Sequence, residues 1–430
     1  MTRTETGPPP AVAPATAVEP GPRGEPPAWA RLARRLVEAN VAVVTVLALF
    51  TALVIGAILI TATTPSVLHA WSQVGSAPGH AFYVTGATIG DAYGAIFTGS
   101  VISPSALGHA ISTGRGWTGA FNPISETLVK AAPLILAGLG VALGFSTGVF
   151  NIGAQGQLIA GAIAALYVGF AVHLPIGIHL PLVVLGGAAG GAVAGFIPGI
   201  LKARTGAHEV IVTIMLNYVF LDLLTYLLTS RPFQQPGQSN AISRTMPATA
   251  RLPHLFGSTL RANLGFVIAL AAALAVAWFA RRSTLGFSFR VIGANQRAGR
   301  TAGMDVRRVT VLVLVISGAL AGLAGTVTLS GTDFFLSTGY GGNIGFDAIT
   351  VALLGRNRPL GVVLGSLLFA ALDVGGASMQ VATGIPIDLS SVIQATIVFC
   401  IATPMLVREL YRLREAGGGS IQLFMKGWSS

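Results

Sequence analysis

The sequence predicts an all-α polytopic membrane protein with about ten transmembrane helices, some of them short, broken or re-entrant. Of its 430 residues, 53% are apolar and 10% are charged, whereas a soluble domain typically carries about 25% charged residues. Apolar runs long enough to cross a bilayer as a helix recur along the chain. This composition excludes a soluble enzyme, a DNA-binding domain and a disulfide-stabilised scaffold.

Ten apolar segments are candidates for spanning helices. They cover residues 41–62, 124–145, 158–172, 181–201, 210–228, 264–280, 309–329, 345–354, 360–374 and 389–407. The 345–354 segment is too short to cross a bilayer alone, since crossing takes about 20 residues. It is therefore either a broken helix or part of a tilted one, and a count of eight or nine spans fits the charge pattern nearly as well.

Three regions divide the chain. Residues 1–40 begin with a tail rich in Pro, Ala, Gly and Glu that shows no hydrophobic periodicity, which predicts a disordered cytoplasmic segment. Residues 41–407 form the membrane domain, and 408–430 a cytoplasmic carboxyl-terminal tail. The apolar run 41–62 exceeds the roughly 7–15 residues of a signal-peptide core, which favours a retained helix. Within the membrane domain, residues 63–123 are polar and glycine-rich, and we expect an outer loop with one interfacial helix.

The net charge of +11 comes from arginine clusters between the apolar runs. Clusters of this kind are typical of cytoplasmic membrane loops rather than of nucleic-acid binding. The 281–308 loop carries seven arginines, which places it and both termini in the cytoplasm. The 229–263 loop, on the predicted outer side, carries four and departs mildly from the rule.

Glycines four residues apart predict close helix packing. The spacing occurs at 186–190, 191–195, 318–322 and 361–365. Small residues at this interval let two helix backbones approach each other within a membrane. The pattern indicates a multi-helix bundle and carries no information about a substrate.

Several polar side chains fall within the apolar segments, where they are costly and commonly functional. Glu209, Thr213 and Asn217 lie at i, i+4 and i+8 and form one stripe, which either lines a transport path or bonds neighbouring helices. Glu126 and Lys130 are spaced as a helical ion pair with the acid first, which favours a structural role.

Two further polar groups precede short apolar segments. Asn151, Gln155 and Gln157 open one segment, and Asn343 and Asp347 open another. Glycines and amides there indicate irregular backbone, which is tolerated at membrane depth only when it is buried in protein or lines a cavity. Residues 146–153 are similar to 337–345, so the two segments are candidates for an inverted repeat around a substrate path; ordinary loop chemistry is the alternative.

Motifs for cofactors, metals and nucleotides are missing from the sequence. There is no G-x-x-x-x-G-K-S/T loop, no H-E-x-x-H and no Cys/His cluster. We therefore expect no cofactor and no metal in this chain, and energy for transport must come from an ion gradient or from a separate ATPase. The arginine-rich loop from residue 285 to 304 alternates small, apolar and basic residues, as a short helix that docks on a partner would.

Four stretches together resemble a known family. They are FNIGAQGQL (150–158), EVIVTIMLNY (209–218), VIGANQRAGRTAG (291–303) and ALLGRNRPLG (352–361). The chain resembles permease subunits of bacterial ATP-binding cassette (ABC) importers of the branched-chain amino acid and simple-sugar superfamily, above all the nucleoside permeases. The resemblance covers roughly residues 120–405. The family usually has Glu where this chain has Gln155.

The resemblance implies a type II importer-like bundle in the bacterial plasma membrane that carries nucleosides; ribose or another simple sugar is the alternative solute. The expected partners are ABC ATPase subunits, which use the ATP, a second permease subunit, a substrate-binding lipoprotein and the lipid bilayer. By the same likeness, the chain is not itself an enzyme. The residues that would seat on the ATPase are Gly293, Ala294, Asn295, Arg297, Arg300 and Gly303. An ion-coupled secondary transporter is the remaining alternative.

A nucleoside is neutral and has hydroxyl groups, base-edge donors and acceptors, and a flat face. Amides both donate and accept hydrogen bonds, so they suit such a solute. The predicted substrate-pathway residues are Asn151, Gln155, Gln157, Glu209, Thr213, Asn217, Asn343 and Asp347. Stacking on the base is expected from Phe150, Phe334, Phe335 or Tyr340.

Overall fold

The structure, a computed structural model, describes residues 41–257, 259–403 and 410–411. The predicted amino-terminal tail and nearly all of the predicted carboxyl-terminal tail lie outside these residues, so both stay predictions. The described residues form fifteen α-helices: α1 Val41–Thr63, α2 Pro65–Ser72, α3 Pro78–Ser100, α4 Pro104–Thr113, α5 Trp117–Ser146, α6 Ala154–Ala171, α7 Ile176–Thr205, α8 Glu209–Leu228, α9 Leu264–Arg282, α10 Thr284–Ala294, α11 Gln296–Thr301, α12 Val306–Thr328, α13 Ile344–Leu354, α14 Pro359–Thr383 and α15 Asp388–Ala402.

The all-α membrane class is confirmed. Eight helices in the described part of the chain are long and apolar enough to cross a membrane: α1, α5, α6, α7, α8, α9, α12 (continued by a π-helical turn to Asp333) and α14. The other two of the ten predicted spans correspond to α13 and α15, which are shorter apolar helices of 11 and 15 residues. As the sequence indicates, α13 cannot cross a bilayer alone.

The 63–123 region differs from the expected outer loop. It contains the helices α2, α3 and α4 and the first turns of α5. Helix α3 has 23 residues and packs along α14. The contact is close because glycines lie at it: a Cβ added at Gly99 would overlap Ser378, and one at Gly375 would meet Ile96. Small residues that suggest a flexible loop are here the means of helix packing.

Helix ends are set by local chemistry in the sequence. Ser103 caps α4 by accepting a hydrogen bond from the Ala106 amide at 3.4 Å. Asn263 caps α9 in the same way through the Gly265 amide at 2.9 Å. Helix α7 stops at Gly206, whose φ of 72° is a left-handed conformation that favours glycine. Such caps satisfy backbone groups that a helix end leaves without partners.

The centre of the bundle is made by α5, α6, α7 and α12. Glycines on facing sides of α7 and α12 bring the two backbones together. A Cβ added at Gly191 would overlap the carbonyl of Gly318, and one at Gly322 would overlap the carbonyl of Gly187. Two of the glycine spacings seen in the sequence, 191–195 and 318–322, thus face each other, and the predicted close packing is confirmed.

The outer helices are far less enclosed. In α5, 78% of the most apolar window is buried inside the protein, whereas α8 reaches 17% and α1 reaches 22%. Exposed apolar side chains such as Met215, Tyr218 and Tyr226 cover the outer face of α8. An apolar exterior on a helix of spanning length is what contact with lipid or another membrane subunit requires.

Candidate functional site

A cavity of about 1070 Å³ opens between α5, α12, α13, α14 and α15. Its wall combines four carboxylates, two basic side chains, amides, hydroxyls and phenyl rings. The polar and aromatic residues that line it are Glu126, Lys130, Arg261, Asn263, Thr328, Thr332, Asp333, Asn343, Asp347, Thr350, Phe369, Asp373, Ser391, Gln394 and Phe399. Irregular backbone at 341–343, just before α13, closes part of one side.

Two ion pairs cross between elements in the cavity wall. Lys130 on α5 contacts Asp373 on α14 at 3.3 Å, and Arg261 contacts Glu126 on α5 at 3.1 Å. The predicted pairing of Glu126 with Lys130 is therefore wrong. Each residue has a partner on another segment, because the packing of α14 and of the 261–263 segment against α5 brings opposite charges closer than the helical spacing does.

Asn343 and Asp347 both line the cavity, four residues apart, and their place in a substrate path stays a prediction. The Asn343 carbonyl accepts the amides of Phe346 and Asp347 at 2.9 Å, so it begins the hydrogen-bonding of α13. The Asn343 side chain is exposed to the cavity and bonds to no protein group in the described ranges.

Gln155 connects the two segments of the predicted repeat. Its Oε1 accepts the Gly345 amide at 2.8 Å, and its Nε2 donates to the Tyr340 carbonyl at 3.4 Å. A Cβ at Gly345 would overlap the Gln155 backbone, so the amino ends of α6 and α13 meet directly. Gln155 is buried and does not line the cavity; it holds the backbone that does. An ionised glutamate at this position could accept the Gly345 amide but could not donate to the Tyr340 carbonyl.

Asn151 and Gln157 lie deeper, in a closed network. The Asn151 Nδ2 donates to Gln157 Oε1 at 2.9 Å and to Ser317 Oγ of α12 at 2.7 Å. Its Oδ1 accepts the Gly153 amide at 3.0 Å and Gln157 Nε2 at 3.2 Å. Both amides are nearly fully buried. The network fixes the irregular 147–153 backbone between α5 and α6 and stands apart from the cavity.

The polar stripe on α8 faces the bundle. Thr213 and Asn217 are buried against the start of α6: the Asn217 amide donates to the Ile152 carbonyl at 3.0 Å and accepts the Gly156 amide at 2.8 Å. Glu209 forms an ion pair with Lys202 of α7 at 2.5 Å. Of the two interpretations left open by the sequence, the geometry favours helix-to-helix bonding, since none of the three lines the cavity.

The segment expected to seat on an ATPase folds as two short helices, α10 and α11, joined at Asn295. The Asn295 side chain caps α11 by accepting the Arg297 and Ala298 amides at 2.9 and 3.1 Å. Residues 293–298 and Arg300 are exposed. Gly293 also has an internal role: a Cβ there would overlap the Ser146 carbonyl at the end of α5. A large side chain at Gly293 would therefore disturb the fold as well as any docking.

Sequence reasoning missed part of the wall. Asp373, Asp333, Arg261 and Gln394 line the cavity, and the first of these lies inside a predicted span, where a carboxylate is by itself a signal of function. The rings at the cavity are Phe369 and Phe399. The four aromatics predicted to stack do not line it: Tyr340, for example, is buried and donates to the Gly325 carbonyl at 2.7 Å.

Comparison with known proteins identifies the kind of protein. Residues 124–402 match the family described as "Branched-chain amino acid transport system / permease component". The chain belongs to this permease family. The match begins inside α5 and ends with α15, so it contains every helix that borders the cavity, whereas α1 to α4 lie before it. The permease is therefore a multi-pass membrane component of a transport system.

Three relatives share most of their length with this permease. The guanosine ABC transporter permease protein NupP of Bacillus subtilis is 40% identical over 72% of this chain and 91% of its own. The nucleoside ABC transporter permease protein NupB of Lactococcus lactis is 37% identical over 68% and 82%. The glucose ABC transporter permease protein TsgB13 of Haloferax volcanii is 35% identical over 73% and 80%. No solved structure matches the permease.

In the residues that the structure describes, no group of three or more His, Cys, Asp or Glu side chains is arranged to hold a metal ion. The carboxylates of the cavity are held by separate helices and two of them are paired with Lys130 and Arg261. What the permease offers a solute is therefore a wall of hydrogen-bonding groups, charges and phenyl rings.

Proposed function

We propose that this permease is the membrane-spanning subunit of an ABC importer and that it carries nucleosides. The observation that supports this most is its similarity, at 40% and 37% identity, to permeases named for guanosine and nucleosides. The cavity agrees with such a solute: the Asn343 side chain can bind base-edge or ribose groups, and the exposed Phe399 ring offers a face for a flat base. Gln394 also lines the cavity, with its Nε2 donating to the Phe369 carbonyl at 3.3 Å and its carbonyl oxygen left as an acceptor.

The path runs through the cavity in this proposal. Asn343 and Asp347 contact the solute, while Gln155 holds the loop that carries Asn343. Asn151, Gln157, Glu209, Thr213 and Asn217 support the path by fixing the start of α6 against α8 and α12. These are supporting rather than solute-binding roles because each side chain is buried with protein partners.

The chain acts together with other subunits. ATP hydrolysis is assigned to separate ABC ATPase subunits, with no catalysis and no cofactor in this chain. The exposed α10–α11 surface, with Ala294, Asn295, Arg297 and Arg300 and with Gly293 and Gly303 shaping its backbone, is the docking site for the ATPase. A second permease subunit, identical or homologous, and a substrate-binding lipoprotein complete the complex in a bacterial plasma membrane.

The arginine-rich side of the bundle is the cytoplasmic side. Arg281, Arg282 and the arginines of α10–α11 lie at the end of α9, and Lys202 and Arg204 lie in the last turn of α7. Basic loops stay inside during membrane insertion. Both termini then lie in the cytoplasm.

A sugar is the second candidate solute, and the glucose permease relative at 35% identity is what favours it. The same amides and carboxylates that bind ribose hydroxyls would bind a hexose. Uptake measurements decide between the two. The assay measures the uptake of labelled guanosine, adenosine or uridine by cells that express the ATPase and the binding protein, with and without this permease. Excess unlabelled ribose or glucose is added as the competitor.

We expect permease-dependent nucleoside uptake that neither sugar suppresses. Uptake of labelled glucose or ribose, without permease-dependent nucleoside uptake, would overturn the nucleoside proposal and leave the sugar. Surface expression of the permease, measured in both strains, is the control for assembly.

A further inference from the structure

The cavity wall carries more negative than positive groups. Its carboxylates are Glu126, Asp333, Asp347 and Asp373, and its basic groups are Lys130 and Arg261. Both basic groups are already used in ion pairs, Lys130 with Asp373 at 3.3 Å and Arg261 with Glu126 at 3.1 Å. With all six groups ionised, the lining has a formal charge of −2.

Asp333 and Asp347 account for this excess. Among the described residues neither forms an ion pair, and both face the same space. Asp347 lies near Asp373 of α14, which is paired with Lys130, and Asp333 lies near enough to Lys130 and Arg261 to be attracted by both. Two cations thus serve four carboxylates, and neither Asp333 nor Asp347 has a cation of its own.

Charges in a narrow cavity act strongly on a solute. Walls of low dielectric constant concentrate the field, and a lining of one sign raises the local concentration of solutes of the opposite sign. Rings of acidic side chains select cations in pores for this reason. A neutral nucleoside carries no net charge on which this field can act, whereas a phosphate ester of the same nucleoside is negatively charged and is repelled.

We propose that the acidic lining makes the transport path selective by charge: it accepts neutral and cationic nucleosides and rejects nucleosides that carry an anionic group such as a phosphate ester. The proposal rests on the proposed function and adds to it which residues discriminate, namely Asp333 and Asp347. It places part of the selectivity in the permease and not solely in the protein that delivers the solute.

The experiment compares uptake rates of three solutes by the full complex. Adenosine is neutral, 5′-amino-5′-deoxyadenosine is a cation, and adenosine-5′-carboxylic acid is an anion. The test variant is Asp333→Asn combined with Asp347→Asn. The matched control is Asp222→Asn, the same exchange at an exposed carboxylate on α8 away from the cavity.

In the double variant we expect the cation-to-neutral rate ratio to fall about fivefold and the anion-to-neutral ratio to rise by a similar factor. The control should leave both ratios as in the unmodified permease. Ratios cancel differences in expression and in coupling to the ATPase. The binding protein is the same in every strain, so its own preference cannot produce the change.

A second variant keeps the proposal testable if the double variant does not fold. Lys130→Gln removes a cation and leaves Asp373 without its partner, so the cation-to-neutral ratio should rise. If the uptake ratios stay unchanged in the double variant, charge selection is overturned while nucleoside transport stands. If the double variant does not fold, unchanged ratios in Lys130→Gln lead to the same conclusion. If the unmodified permease transports no nucleoside, the proposed function fails, and the same variants are measured with glucose, glucosamine and glucuronate.

Discussion

Asn151 and Asn343 occupy comparable places, each within three residues of the start of the helix that follows it. Asn151 precedes α6 and is fully buried, with hydrogen bonds to Gln157, Ser317 and the Gly153 amide. Asn343 precedes α13 and is exposed to the cavity. The asparagine before α6 therefore bonds to protein groups, whereas the asparagine before α13 is accessible to a solute in the cavity.

The two asparagines show that polar groups at membrane depth can have either a structural or a solute-binding role. A buried amide whose partners are all protein groups stabilises the backbone around it, and removing it leaves those partners without hydrogen bonds. An amide without protein partners contributes little to folding and can bind what enters the cavity. Substitutions at the two asparagines test this division, and one at a packing glycine sets the scale of a purely structural loss.

The largest effect is expected at the glycine contact between α7 and α12. In Gly191→Ala, the added Cβ overlaps the Gly318 carbonyl and meets the Gly322 backbone, neither of which can rotate away. We expect the folding free energy to fall by about 3 kcal/mol or more, so that little of the variant is folded. Size-exclusion profiles and thermal unfolding in detergent measure it. Gly177→Ala, on the same helix but with open space at its Cβ, is the control and should behave as the parent.

A smaller but clear loss of stability is expected for Asn151→Leu. The variant keeps the branched shape of the side chain, with somewhat bulkier ends, and removes the bonds to Gln157, Ser317 and the Gly153 amide. Because those groups stay buried without partners, the protein should lose about 2 kcal/mol of folding free energy. Thermal unfolding of purified protein reports the change. An unchanged melting temperature would mean that the network does not hold the 147–153 backbone.

Asn343→Leu should reverse this pattern. Its side chain has no protein partner in the described ranges, so the melting temperature should stay close to that of the parent. Uptake should fall by about three- to tenfold, the effect of one lost hydrogen bond to the solute. Initial-rate uptake against solute concentration measures it, with the Asn151→Leu protein as the matched comparison. Normal uptake by folded Asn343→Leu would remove this residue from the path.

Much of the fold follows from the sequence alone. The bilayer admits few structures, so apolar runs of spanning length predict helices, and glycines four apart predict where helices approach closely. The 63–123 region escaped this reasoning because its helix α3 is too polar for a simple apolar run. Its glycines and alanines pack on α14, and only the partner helix shows that they belong to an interface.

Composition and local spacing are enough to predict the membrane class, most helices of the bundle outside 63–123, and the polar residues at membrane depth. Which of those polar residues have protein partners depends on the three-dimensional packing. Lys130 pairs with Asp373 across 243 positions and not with Glu126 four residues away, and Asn343 faces a cavity while Asn151 is buried. Partners distant in sequence are brought together by packing, so local spacing cannot reveal them.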